Sequence, residues 1–199
     1  MKELDLLKKD WQKDTNFFEQ LSESAIYKII HKKSSSLVKW ILIISIIEFV
    51  VLNGISFFIN DENIDAFLIK HPYLDLINYV NYIIVVGFIM IFYKKYRAIS
   101  TLDSSMNLIK QIITTRRVVN YYILWNVIIG GFFGVFGAID GFKKSFTKDH
   151  AVNTNIKYFL IIIFVLLIMG IIWGFYKLLY GGLLNKLNKN YKELMKIDF

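Results

Sequence analysis

The chain contains no cysteine, one proline and three histidines among its 199 residues. Without cysteine it has no disulfide, no zinc–thiolate site, no iron–sulfur cluster and no thiol nucleophile. The histidines, His31, His71 and His150, are far apart, and neither an H-E-x-x-H sequence nor a Gly-rich phosphate loop is present. These absences leave little from which to build a metal or haem site. We therefore expect a protein that is not an enzyme and carries no cofactor.

Long apolar runs are the feature that the chain does have, and hydrophobic residues make up 55% of it. An α-helix rises 1.5 Å per residue, so about twenty apolar residues cross a hydrocarbon layer about 30 Å thick. The four runs of that length cover residues 37–59, 73–93, 119–139 and 158–180. They predict an all-α polytopic membrane protein with four transmembrane helices, folded as a single membrane domain over residues 1–199.

The segments outside these spans also carry helical patterns, in residues 1–36, 94–118 and 181–199. In 94–118, apolar residues recur at steps of three and four, and Ser100-Thr-Leu-Asp103 resembles a capping box. We expect this segment to form a helical hairpin that turns near Ser100. Three amphipathic extensions require apolar contacts. They could pack on one another, lie at the membrane surface or receive a partner.

The distribution of charge predicts the orientation. The net charge is +8, and the basic residues lie outside the apolar runs. Residues 1–36 hold seven lysines, and 94–118 holds six basic residues against one acid, whereas 60–72 holds three acids against Lys70 alone. The third connection disagrees, with Lys143, Lys144, Lys148 and Lys157. Because Lys and Arg favour the cytoplasmic side, we expect both termini to be cytoplasmic.

The same charge pattern bears on partners and origin. Basic residues that bracket apolar runs fit anionic lipid headgroups better than a nucleic acid, which would need one basic folded surface. The abundance of Ile, Lys and Asn is typical of AT-rich coding sequence. It predicts a bacterial protein, and hence a location in the bacterial inner membrane.

Polar residues inside the spans are the first candidates for a functional site. Glu48 lies about 16 Å from the cytoplasmic end of span one, and Asn81 about 18 Å from that end of span two. Asn53 falls near the level of Asn78, and Asn126 lies nearer the cytoplasmic side of span three. An ionised carboxylate at this depth costs at least roughly 2.5 kcal/mol, so it needs a partner or a proton. Glu48, Asn53, Asn78 and Asn81 form the predicted polar cluster.

Two interpretations of this cluster remain open. In the first, Glu48 titrates in a proton- or ion-coupled device and the asparagines form a polar path. In the second, a protonated Glu48 hydrogen-bonds Asn81 and joins the first two helices, a common interaction worth only about 0.6 kcal/mol on average. Transporters usually contain more buried ionisable groups and broken helices, which favours the second interpretation.

Small residues at four-residue spacing predict close helix packing. They occur in span three as Gly130-x-x-x-Gly134 and Gly137-x-x-x-Gly141, and in span four as Gly170-x-x-x-Gly174. Such spacing allows two backbones to approach closely where lipid offers no hydrophobic driving force. Either spans three and four pack together within one chain, or the stripe forms the face of a homodimer.

Aromatic residues near the predicted span ends indicate interfacial belts rather than a cofactor site. These are Trp40, Tyr73, Tyr93, Tyr96, Tyr121, Tyr122, Trp125, Tyr158 and Tyr180.

The stretch from Ile26 to Glu48, and the Tyr121–Tyr122 pair that opens span three, resemble a known group of proteins. They are similar to small, uncharacterised four-span membrane proteins of Bacteroidetes-type bacteria. This group has no established activity, so the resemblance implies no functional residues. Some members are labelled β-carotene monooxygenases. Carotenoid-cleaving oxygenases look like soluble propellers that hold iron with four histidines, and this chain has three histidines in all.

These patterns favour a non-enzymatic interaction or regulatory protein whose extensions bind a partner. The expected partners are the lipid bilayer and a cytoplasmic or membrane protein, with a homodimer as a further alternative and no nucleic acid. The rival hypothesis is a small proton- or ion-coupled transporter that uses Glu48.

Overall fold

The computed structural model describes residues 23–58, 68–101, 104–146 and 154–197, and within these ranges the fold is all α. Its four helices are α1 (Glu23–Phe58), α2 (Pro72–Ser100), α3 (Ser105–Phe146) and α4 (Thr154–Ile197). All four are long and apolar enough to cross a membrane. The predicted all-α fold with four spanning helices is therefore confirmed, and the chain is a multi-pass membrane protein. The helical pattern predicted before residue 23 lies outside the described residues.

The helices pack in chain order around a square. α1 contacts α2 and α4, and α3 contacts α2 and α4, with the α3–α4 contact the most extensive of all. Contacts across the diagonal between α1 and α3 are few. This is the up-down-up-down arrangement that short connections between antiparallel neighbours produce.

Each helix extends beyond its apolar run at one end of the bundle. We call this end, formed by residues 23–36, 94–101, 104–118 and 181–197, the hairpin end, and the opposite one the distal end. α1 runs unbroken through Lys32, Lys33 and Ser34–Ser36, where no proline or glycine interrupts the helix. Ile30, Leu108, Ile112, Leu187 and Leu194 are all buried there. Of the three alternatives for the extensions, the structure therefore shows that they pack on one another.

Polar side chains join each neighbouring pair of helices at the hairpin end. Four hydrogen bonds do this: His31 Nε2 to the Ile99 carbonyl (2.6 Å), Lys95 to Gln111 (3.0 Å), Arg116 to Asn188 (2.7 Å) and Asn190 to Ser34 (3.0 Å). Lys, Arg and Asn are the donors in the last three. Because every side of the square carries one such bond, the hairpin end has a defined register as well as an apolar core.

The turn between α2 and α3 differs from the predicted capping box. Ser100 is the last residue of α2, where the Thr101 N–H bonds the Ala98 carbonyl at 3.3 Å, so it is not the N-cap of α3. The carbonyl of Ser104 accepts the first bond of α3, from the Leu108 N–H at 3.1 Å. Asp103 lies outside the described residues. The hairpin does turn next to Ser100, between the end of α2 at Ser100 and the start of α3 at Ser105.

The distal ends of α2 and α3 meet through mixed contacts. Lys70 and Asp140 approach to 3.7 Å, with the lysine side chain largely exposed. His71 Nδ1 and the Tyr73 hydroxyl are 3.0 Å apart, and both rings contact Phe136. Pro72 occupies the first turn of α2, where its missing N–H leaves no helical hydrogen bond unmade.

The glycines of α3 and α4 divide into two groups. A Cβ added at Gly130 would collide with Ile172, and one at Gly131 would lie 2.7 Å from the Met169 sulfur. A Cβ at Gly134 would make an ordinary contact with Ile168 at 3.7 Å. The first glycine pair of α3 therefore packs on α4 within one chain.

The second group makes no such contact. A Cβ at Gly137, Gly141, Gly170 or Gly174 would meet no described atom within 4 Å. The α4 side of the interface consists of Ile168, Met169 and Ile172 instead of the predicted glycine stripe. Large side chains of α4 insert against the flat surface of α3, and Gly131, which the four-residue pattern omitted, is part of that surface.

Gly131→Val should destabilise the bundle, because the added methyl groups would displace Met169 from a closely packed interface. Overpacking of this kind costs about 1–3 kcal/mol. Reversible unfolding in mixed detergent measures the free energy of unfolding. Gly137→Val is the matched control and should leave that free energy nearly unchanged. Equal losses for the two variants would contradict the assignment of this surface.

Candidate functional site

Glu48 lies on the buried face of α1. Ile41, Ser45 and Glu48 follow one another at steps of four and three, and all three are buried, with Glu48 8% exposed. This spacing places them on one side of the helix, which α1 turns towards the centre of the bundle. Ser45 satisfies its hydroxyl locally by donating to the Leu42 carbonyl at 2.8 Å. Glu48 requires partners from other helices.

Two tyrosines of α4 supply those partners. The Tyr180 hydroxyl donates to Glu48 Oε2 at 2.9 Å, and the Tyr176 hydroxyl donates to Oε1. The two tyrosines are one helical turn apart, and their rings stack with centroids 6.1 Å apart. An ionised carboxylate only accepts hydrogen bonds, and here each oxygen has its own donor. The arrangement therefore satisfies a carboxylate far from bulk water.

Tyr122 of α3 completes the cluster. Its ring makes edge contacts with Tyr176 and Tyr180 at 6.0 and 5.9 Å, and with Phe88 and Phe92 of α2 at 5.5 Å each. Edge-to-face pairs at these separations are favourable for aromatic rings. Through Tyr122 the polar group on α1 contacts residues of all three other helices.

These positions correct two predictions. Tyr122 and Tyr180 were expected in an interfacial belt, but they are 1% and 0% exposed in the centre of the bundle. The second interpretation of the polar cluster paired Glu48 with Asn81. The Glu48 carboxylate instead takes hydrogen bonds from α4, and the Asn81 amide oxygen accepts one from the Trp125 indole at 2.9 Å. α4 is continuous from Thr154 to Ile197, so Tyr180 lies inside the helix and not at its end.

A cavity of 260 Å³ opens beside the carboxylate between α1, α2 and α3. Its polar lining consists of Glu48, Asn53, Asn78, Asn81, Tyr82, Tyr122 and Asn126. The structure thus brings together the four residues of the predicted cluster around one space. Their functional role is untested by this placement and stays a prediction.

Three asparagines of this cavity are each anchored by one hydrogen bond. The amide nitrogens of Asn53, Asn78 and Asn126 donate to the Phe49 carbonyl (2.6 Å), the Tyr82 hydroxyl (3.1 Å) and the Tyr122 carbonyl (2.9 Å). Each amide keeps one N–H donor and its oxygen for a further partner. Together with the carboxylate, they give the cavity a polar lining that contains both acceptors and donors. Such a lining suits a proton donor or a small cation.

Tyr176 and Tyr180 were missed as functional candidates, and the sequence contains a partial signal for them. Their four-residue spacing places two hydroxyl groups on one face of α4. The depth of α4 relative to α1 was needed to use that signal. Among the described residues, no three His, Asp or Glu side chains come together to hold a metal ion.

Tyr180→Phe and Tyr176→Phe should each lower the free energy of unfolding by about 1–2 kcal/mol, because each leaves one buried carboxylate oxygen without its donor. Unfolding in mixed detergent measures the loss. Tyr121, next to Tyr122 in α3, is exposed, so the control variant Tyr121→Phe should not change the free energy of unfolding. In the Glu48→Gln background the tyrosine variants should cost less than in the wild type. Additive losses would contradict the hydrogen bonds.

Comparison with known proteins adds the family. No curated protein and no solved structure gives a significant match to the chain. Residues 24–199 match a family described as Domain of unknown function (DUF8845). The match covers all four helices except Glu23, the first residue of α1. This agrees with the resemblance to an uncharacterised group. The chain belongs to the DUF8845 family, whose function is unknown.

Proposed function

We propose that the protein is a small proton- or ion-coupled transporter in which Glu48 is the coupling group. The observation that carries this proposal is the buried carboxylate at the wall of a polar cavity inside the spanning region. Ionisable groups at such depth are costly and commonly mark proton or ion pathways. The proposal includes a bacterial inner membrane, with both termini on the cytoplasmic side.

The arrangement of donors supports reversible binding at Glu48. With the tyrosine hydroxyls on its oxygens, the carboxylate is stabilised without a permanent counter-ion among its described neighbours. A proton or small cation that enters the cavity meets the carboxylate of Glu48 and the asparagine side chains that line the same space. The hydroxyl groups can rotate and either donate or accept, so they accommodate both charge states. Loading and release therefore need only local rearrangement at the carboxylate.

The packing of the hairpin end also favours this hypothesis over a partner-binding role for the extensions. The apolar stripes that seemed to require a partner are buried against one another, with Leu108, Ile112, Leu187 and Leu194 at their centre. These apolar side chains therefore do not need an external protein partner to shield them from water.

Glu48→Gln should abolish proton or cation flux in proteoliposomes, because glutamine keeps the shape of the side chain but cannot bind and release a proton at neutral pH. An entrapped pH-sensitive dye reports proton flux under an imposed ion gradient. Size-exclusion chromatography and circular dichroism establish that the variant is assembled. Asp75→Asn, at an exposed position in the first turn of α2, is the control and should transport as the wild type does. Wild-type flux no higher than that of empty liposomes would overturn the proposal.

A second candidate is the non-enzymatic interaction or regulatory role, acting through the membrane face of α4. The distal half of this helix exposes large apolar side chains, among them Phe159, Ile163, Leu167 and Ile171. Gly170 and Gly174 have open space at their Cβ positions, so a second helix can approach closely. The partner under this hypothesis is another copy of the chain or a different membrane protein.

Under this second hypothesis, Gly170→Ile combined with Gly174→Ile should convert a dimer in lipid bilayers to a monomer. Single-molecule photobleaching in vesicles counts the subunits. Gly87→Ile, at a glycine of α2 that also has open space around it, should leave the dimer intact. A wild-type chain that is monomeric at all protein-to-lipid ratios would contradict self-association through this face.

A further inference from the structure

A groove between α1 and α4 at the hairpin end is independent of the Glu48 cavity. It encloses 630 Å³, which is within the usual range for binding sites of small molecules. We call it the lysine groove. Its lining residues come from α1 (Lys33, Ser36, Leu37, Trp40, Ile44) and α4 (Leu179, Gly182, Leu183, Lys186, Lys189, Asn190).

The polar and apolar residues of the lysine groove are separated along its length. Lys33, Lys186 and Lys189 lie at the outer part, beyond the apolar run of either helix. Leu37, Ile44 and Leu179 line the part within the runs, and Leu183 lies just beyond the run of α4. From Lys33 to Ile44 the groove follows α1 for about 16 Å at 1.5 Å per residue. That length matches a charged headgroup and much of an acyl chain in one leaflet, whose hydrocarbon is about 15 Å thick.

The charge at the outer part is largely unneutralised. Within the described part of the chain, Lys33 and Lys186 form no ion pair, and Lys189 makes a long contact of 4.0 Å with Glu193 while both remain exposed. Exposed pairs at such distances contribute little. Trp40, 54% exposed on the groove wall, lies where an indole ring usually meets the headgroup layer.

We infer that the lysine groove binds one anionic phospholipid, with its phosphate among the three lysines and an acyl chain along the leucines. A basic cluster next to an apolar channel complements an amphiphile that carries negative charge at one end only. A soluble phosphate compound would leave the apolar part empty, and a neutral lipid would leave the lysines unpaired. The buried Asn190–Ser34 hydrogen bond, 3.0 Å long, holds α1 and α4 together at the headgroup end.

Native mass spectrometry of the full chain in neutral detergent tests this inference, with phosphatidylglycerol and phosphatidylcholine as probes. The wild type should retain phosphatidylglycerol in preference to phosphatidylcholine. Lys33→Gln combined with Lys186→Gln should weaken phosphatidylglycerol binding about 25-fold, because each lysine near anionic lipid contributes about a factor of five. Phosphatidylcholine binding should not change.

The matched control removes two lysines at the same end of the bundle but outside the groove. Lys94 of α2 and Lys110 of α3 are exposed, and the double variant Lys94→Gln, Lys110→Gln has the same net charge as the groove variant. It should bind phosphatidylglycerol as the wild type does. Equal losses for the two double variants would overturn the inference, because they would show a diffuse attraction to the whole basic surface.

Two further arms test the apolar part of the groove. Gly182→Leu places a side chain in open space in the groove wall, and it should weaken phosphatidylglycerol binding with all the lysines intact. Inorganic phosphate at the lipid concentration should not displace the bound lipid. Displacement by phosphate, or full binding by Gly182→Leu, would show that the acyl chain is not held here. All of these outcomes are independent of transport at Glu48.

Discussion

The buried carboxylate of Glu48 is the constraint on which the arrangement of the four helices depends. A carboxylate in the spanning region must receive hydrogen bonds from the protein, since lipid provides none. Tyr176 and Tyr180 donate them from α4, and Tyr122 closes the cluster from α3 with Phe92 of α2 behind it. Only one depth and one rotation of α4 relative to α1 bring both hydroxyl groups to the carboxylate. The site therefore determines the register of the bundle as well as its possible chemistry.

Packing elsewhere is consistent with that register. At the hairpin end, each side of the square has one polar contact over an apolar interior, for example Asn190 to Ser34 between α1 and α4. Towards the distal end, the flat surface at Gly130 and Gly131 receives Ile172 and Met169 of α4. Van der Waals fit and hydrogen bonds supply the association of helices in lipid, where a hydrophobic driving force is lacking. The structure uses fit between α3 and α4, and polar contacts where the helices extend beyond their apolar runs.

The two proposed sites use different surfaces of the same helices. α1 turns Glu48 to the interior and presents Lys33, Leu37 and Trp40 to the groove that it forms with α4. A lipid in that groove would contact Leu179 and Leu183, whose neighbour Tyr180 donates to Glu48. Lipid binding in the groove and the position of the tyrosine donors therefore both depend on how α1 and α4 pack together. The α1–α4 contact is the element through which the two sites would influence each other.

The number of spanning helices and the need to shield Glu48 followed from the sequence alone, because the length of an apolar run and the cost of a buried charge are local properties. The identity of the side chains that hydrogen-bond Glu48 did not follow from the sequence. Asn81 and Tyr180 were assigned by counting residues from the ends of the runs, and the Tyr180–Glu48 hydrogen bond shows that this count misplaced Tyr180. Likewise, the spacing of Gly170 and Gly174 indicated a small-residue face but not which face of α4 turns to α3. Relative depth and rotation of packed helices depend on many side chains at once, and only the tertiary structure decides them.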